Sequence, residues 1–147
     1  MQKKEQGFTL IELMITIAIL AIIATMAAPS FGNLIQKQNL NRSTQELIGQ
    51  LNNARSKAVL ERRDVTVQLN SLAADAPTQL NWASQDKTIL KSGSPTEITF
   101  LLSGGVKNFA ADINGKPFII CNESGGNKSK NISISLMGTI HVTEGTC

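Results

Sequence analysis

The sequence predicts an α+β fold, a long N-terminal α-helix kinked near Pro29 and packed on a C-terminal antiparallel β-sheet head. Three features point to it: an apolar stretch from Phe8 to Ala28, an amphipathic stripe continuing to about Leu60, and short β-prone pieces separated by glycine turns beyond Asp64. Helical spacing governs the first part of the chain and period-two alternation the last, and such segregation of helix from strands defines the class. With 147 residues, the part beyond the first thirty is still large enough to bury a modest core.

The apolar stretch contains a single ionisable residue, Glu12, among Leu, Ile, Met, Ala and Thr. Its length of about 21 residues is enough to span a bilayer. A secretory signal peptide has a more basic start, a shorter apolar core and a cleavage site after that core. Here the basic start is only Lys3 and Lys4, and the small residue placed for cleavage, Gly7, precedes the apolar run. A cut there keeps the apolar helix in the mature chain. The lysines put residues 1–7 in the cytoplasm by the positive-inside rule, which sends everything after Ala28 outward.

A carboxylate inside a membrane helix costs roughly 2.5–3.5 kcal/mol at the bilayer centre. Glu12 therefore either snorkels to the headgroups or needs a partner. Cleavage between Gly7 and Phe8 supplies one, because the new α-amino group on Phe8 is a cation at nearly the same depth, with a reference pKa of about 7.7–8.0. Pairing between the Glu12 carboxylate and a neighbouring subunit's Phe8 amine sets axial register in a low-dielectric bundle, while an isolated subunit keeps an unpaired charge.

The run Gly7-Phe8-Thr9-Leu10-Ile11-Glu12-Leu13-Met14 resembles the processing motif of type IV prepilins and type II secretion pseudopilins. The resemblance implies cleavage by a prepilin peptidase after Gly7 and N-methylation of Phe8, which keeps the positive charge. It divides the chain into a leader (1–7), a transmembrane or filament-core helix (8–29) and a periplasmic or extracellular head (30–147). It also implies a single-pass inner-membrane protein that moves into a surface pilus.

Pro29 lacks an amide hydrogen and crowds the preceding turn, so a kink, or a break between Pro29 and Asn33, is expected. Beyond it Leu34, Ile35, Leu47, Ile48, Leu51, Ala54, Ala58 and Val59 recur mostly at three- and four-residue intervals with polar residues between, the pattern of an amphipathic helix reaching about residue 62. From Phe8 to about Leu60 the two helical portions would reach roughly 80 Å.

The strand candidates are Val65–Leu69, Thr88–Leu90, Glu97–Leu102, Lys116–Cys121, Ile132–Leu136 and Thr139–Val142, forming an antiparallel sheet. Asn114-Gly115, Gly104-Gly105 and Gly125-Gly126 supply turns, and the polar stretches 70–87 and 122–131 read as loops.

Cys121 and Cys147 are the only cysteines, and the outward topology places both in an oxidising compartment that favours a disulfide. Closing a loop of about 27 residues stabilises by roughly 3–4 kcal/mol on the chain-entropy estimate. The alternative, a metal held by both cysteines and the lone His141, has no close ligand spacing to support it. One histidine is also little material for Ser–His or Cys–His catalysis, and no Gly-rich phosphate loop follows a strand. The residues predict no enzyme activity and no cofactor.

A narrower resemblance comes from the second half. Leu51-Asn52-Asn53-Ala54-Arg55-Ser56-Lys57-Ala58-Val59, followed by Arg62, Arg63 and Val65, resembles the helix-end signature of the FimU/FimT/GspH family, and Phe118–Cys121, Gly138 and Cys147 resemble its late arrangement. The resemblance is nearest to FimU. It implies a minor pilin that joins other minor pilins and the major pilin, primes assembly, and serves twitching motility, adhesion or DNA uptake. The alternatives are a GspH-like minor pseudopilin of type II secretion and a FimT-like DNA-binding pilin for natural transformation. For the latter, Gly138-Thr139-Ile140-His141 lacks the arginines of the Gly-Arg-x-Arg motif, leaving Arg55, Lys57, Arg62 and Arg63 as the candidate phosphate contacts. These four also suit the cation-favouring C-terminal end of a helix. A net charge of +3 and an aromatic content of 4% do not call for nucleic acid.

Overall fold

A computed structural model describes residues 7–147, with the side chains of residues 28–30 outside the description. Residues 1–6, including Lys3 and Lys4 of the expected leader, lie outside the described residues. Helix α1 (Leu10–Glu61) is followed by β1 (Val65–Leu69), β2 (Gln79–Trp82), β3 (Ile89–Leu90), β4 (Glu97–Phe100), the short helix α2 (Phe109–Asp112), β5 (Phe118–Cys121), β6 (Ser129–Ile134) and β7 (Ile140–Gly145). The expected break between Pro29 and Asn33 does not occur, since α1 is assigned as one helix of 52 residues. By contacts the chain divides into two units, the first ending at Ile35 and the second being Gln36–Cys147.

In the first unit the helix is apolar around its whole circumference. Its large side chains from Leu10 to Met26 are all more than half exposed. A helix of this kind has no polar face to give to water and is suited to a membrane or to a bundle. It is the one helix long and apolar enough to cross a bilayer, by length and composition, among the described residues.

In the second unit, α1 buries one stripe, Leu40, Leu47, Leu51, Ala54 and Ala58, whose spacings of seven, four, three and four residues keep it on one face. Ser43 and Thr44 are buried on the same face and satisfied. Thr44 Oγ1 donates to the Leu40 carbonyl at 2.7 Å, and the Ser43 and Thr88 hydroxyls lie 2.7 Å apart. Leu34, Ile35 and Val59 depart from the expected stripe, being 50%, 55% and 46% exposed. Leu34 and Ile35 precede the second unit, and Val59 lies beside the Ala58 stripe rather than in it.

The strands form two sheets rather than one: β2-β1-β4 with three strands and β3-β5-β6-β7 with four. The second is wholly antiparallel, whereas β1 pairs parallel with β2 and antiparallel with β4. Two stretches expected as loops contribute strand. Gln79–Trp82 lies within 70–87, and β6 begins at Ser129 within 122–131. Inward residues of both sheets, Val65, Val67, Leu80, Trp82, Ile98, Phe100, Phe118, Ile120, Ile132 and Ile134, join the helix stripe in one core. Each fully buried aliphatic or Phe side chain contributes about 1.5–3 kcal/mol. The helix ends in a Schellman arrangement without glycine. Arg62 adopts φ 52° and the Arg63 amide donates to the Ala58 carbonyl at 3.2 Å.

Candidate functional site

Gly7, Phe8 and Thr9 precede α1 in non-helical backbone, and the helix begins at Leu10. Gly7 has open space around it and Phe8 is 90% exposed. The Gly7–Phe8 peptide therefore lies in exposed, irregular chain immediately before a rigid helix.

Thr9 and Glu12 make that helix start sharply. The Thr9 carbonyl accepts from the Leu13 amide at 3.2 Å, the first helical bond. The Thr9 amide and hydroxyl donate to Glu12 Oε2 at 3.0 and 2.9 Å, and the Glu12 amide donates back to Thr9 Oγ1 at 3.3 Å. This is a reciprocal capping box between the residue before the helix and the third residue within it. It satisfies amides that would otherwise be orphaned, a demand far more pressing in hydrocarbon than in water. The Thr-x-x-Glu spacing at Thr9–Glu12 is the sequence signature of this box. The second carboxylate oxygen, Oε1, has no hydrogen-bond partner among the described residues. Gly7, Phe8, Thr9 and Glu12 share one shallow groove around this first turn.

In the head, Cys121 and Cys147 form a disulfide with Cα atoms 5.9 Å apart, which takes both sulfurs away from any metal. The two residues after Cys121 hold Gln36 at both ends of its amide: Nε2 donates to Glu123 Oε1 at 3.2 Å and Oε1 accepts from Asn122 Nδ2 at 3.3 Å. Nothing in the pattern of these polar residues announced that clasp.

The basic residues do not act alike. Arg55 is half-buried, with Nε donating to the Gly104 carbonyl at 3.0 Å, and Arg63 is paired with Glu61. Lys57 is half-buried and Arg62 is exposed. Gly138, at φ 77°, comes so close to this corner that an added Cβ would sit 2.8 Å from the Gly104 carbonyl and 2.9 Å from Arg55 Nε. His141 is exposed on β7, opposite Ser133.

Residues 2–28 match the family described as the prokaryotic N-terminal methylation motif. The N-terminal segment carries that motif. Over 96 residues, 65% of the chain, it is 31% identical to a fimbrial protein of Pseudomonas aeruginosa, covering 59% of that protein. It is 39% identical over 64 residues to the type IV major fimbrial protein FimA of Dichelobacter nodosus, covering 44% of this chain and 40% of the relative. With the fimbrial protein EcpB of Eikenella corrodens it shares 50% identity over 44 residues, 30% of this chain and 28% of that one. The chain thus spans about three-fifths of the length of the Pseudomonas relative. No solved structure matches. The methylation motif and the fimbrial relatives support a type IV pilin, and a long helix with an antiparallel-rich β region is consistent with the α+β type IV pilin fold.

Proposed function

We propose that this chain is a minor type IV pilin. It begins as a single-pass inner-membrane precursor, is cut between Gly7 and Phe8 by a prepilin peptidase and methylated on Phe8, and joins other minor pilins and the major pilin in a tip complex that primes pilus assembly. The observation that carries the reading is the first turn of α1. The exposed Gly7–Phe8 peptide lies outside the helix, and Glu12 caps the helix through Oε2 while Oε1 has no hydrogen bond among the described residues. One carboxylate oxygen holds the subunit's own helix and the other accepts the Phe8 ammonium of a neighbour, so capping and pairing do not compete. The minor rank rests on the helix-end and late-strand resemblances, for which Arg55, Gly104 and Gly138 form one packed corner.

The test is deletion of the gene followed by rescue with wild type and with Glu12→Ala. Loss of surface pili restored by wild type alone, with Glu12→Ala inserted in the membrane but missing from sheared filaments, is the expected result. Normal incorporation of Glu12→Ala would refute the pairing. Normal pili with failed type II secretion would reassign the chain to the pseudopilins, and normal pili with lost DNA uptake to the DNA-binding pilins.

A further inference from the structure

Lys37 is the first ionisable residue after Glu12. Exposed Phe31, Leu34 and Ile35 carry the apolar surface of α1 past Ala28 to within two residues of it. From Leu10 to Ile35 the helix is about 39 Å long at 1.5 Å per residue, close to the roughly 40–45 Å of a bilayer with both headgroup layers. In the membrane-inserted precursor, Lys37 therefore falls at the level of the outer headgroups.

Lys37, Lys128, Lys130 and Glu144 line one cavity of about 230 Å³, together with the buried Leu40. The Gln36 clasp builds it. Asn122, itself buried, reaches Gln36 with Nδ2, while its Oδ1 accepts from the Lys128 amide at 3.2 Å and its own amide donates to the Lys128 carbonyl at 3.0 Å. Lys37 and Lys128, remote in sequence, are thereby fixed on the same cavity. Lys130 enters from β6 with its side chain only 19% exposed, and Glu144 takes up its charge at 2.7 Å. The hydrogen bond and charge of Lys130 lower the Glu144 carboxyl, and the charge of Lys37 adds to them, so Lys37 faces the same place. One carboxylate thus stands against three ammonium groups. The ammonium groups of Lys37 and Lys128 have no ion-pair partner among the described residues. Like charges gathered on one cavity repel, more strongly as the surroundings become less polar, and an anion between them removes the repulsion.

We infer that this cavity binds the phosphate of an anionic phospholipid headgroup in the outer leaflet, with Lys37 and Lys128 as its cationic contacts and Lys130 held beside them by Glu144. Ammonium groups act on phosphate as point charges and need no paired geometry. The choice of a lipid follows from depth, because the apolar surface of α1 ends two residues before Lys37 and the nearest anions there are headgroups. A nucleic acid would call for a row of such sites along its backbone, whereas these lysines converge on one cavity. The inference rests on the membrane-precursor reading and adds a lipid preference to it.

The test uses the full chain, reconstituted into vesicles of phosphatidylcholine alone and of phosphatidylcholine mixed with phosphatidylglycerol. Native mass spectrometry of the released protein counts the lipids it retains. Wild type should retain phosphatidylglycerol in preference to phosphatidylcholine. Lys37→Gln and Lys128→Gln should each lower that preference about fivefold. Lys116→Gln should leave it unchanged, since Lys116 lies outside the cavity and donates to the Ala111 carbonyl at 2.8 Å. Equal retention of the two lipids by wild type, a preference that survives both cavity substitutions, or an equal loss in Lys116→Gln overturns the inference. So does displacement of phosphatidylglycerol by an excess of inorganic phosphate, which would assign the cavity to a free anion. Alkaline extraction of the phosphatidylcholine vesicles separates the underlying reading. A chain that washes out overturns the membrane reading and this inference with it, whereas a chain that stays in without lipid preference overturns this inference alone.

Discussion

Glu12 and Thr9 hold one another across the first turn of α1, both Thr9 donors converging on a single carboxylate oxygen while the Glu12 amide returns to the Thr9 hydroxyl. Loss of such a cap costs about 1 kcal/mol. Thr9→Ala should therefore speed amide exchange at Glu12 and Leu13 by roughly fivefold in detergent micelles, at 1.4 kcal/mol per factor of ten, with no change in the head. Unchanged exchange in that turn would show that the cap does not hold it.

Arg62 occupies a left-handed position that glycine adopts without a Cβ penalty. Arg62→Gly should stabilise the head by about 0.5–1 kcal/mol, partly offset by the greater freedom of the unfolded chain. A thermal melt followed by fluorescence of Trp82, the single tryptophan and 4% exposed, would report a rise of a few degrees. A fall would mean that Arg62 makes a contact outweighing its strain.

The disulfide spans a sequence separation of 26. On the loop-entropy estimate its removal costs about 3.5 kcal/mol. Cys121→Ser with Cys147→Ser should lower the denaturant midpoint of the head and steepen the slope somewhat, because the unfolded chain freed of the cross-link exposes more surface. An unchanged midpoint would show that the cross-link does not stabilise the head.

Glu144 carries the pH prediction. The hydrogen bond from Lys130, and then its charge, hold this carboxyl below its ordinary value of 4.5. A carboxyl depressed in the folded state contributes stability above its unfolded pKa and loses it as pH falls through the folded one. Stability of wild type relative to Glu144→Gln should accordingly be greatest near neutral pH and decline below about 4.5. Because Glu144 is exposed, the difference should be small and should shrink in high salt. A gap that widened on acidification would have the wrong sign.

The helix, its buried stripe and most strands were legible because Leu47, Leu51, Ala54 and Ala58, and likewise Ile132 and Ile134, repeat with the period of their element. Strand β2 was not. Gln79–Trp82 alternates poorly and follows a polar stretch, and it is fixed by parallel pairing with β1, a non-local contact that periodicity does not carry. The same limit explains the Gln36 clasp, whose partners lie 87 and 86 residues away in sequence. At the processing motif the residues were legible singly, whereas the Thr9–Glu12 box needed the capping rule to be applied to a residue already explained by its charge. The unbroken helix through Pro29 shows the reverse case, in which α1 continues although Pro29, Gly32 and Asn33 all disfavour it locally.

Gln36 is the first residue of the second unit, and Asn122 and Glu123, which hold its amide, directly follow Cys121. Tension transmitted along α1 thus enters the head beside a covalent cross-link. Peeling the sheet from that corner meets the Cys121–Cys147 bond almost at once, so the four-stranded sheet is loaded as a cross-linked unit and not one strand at a time.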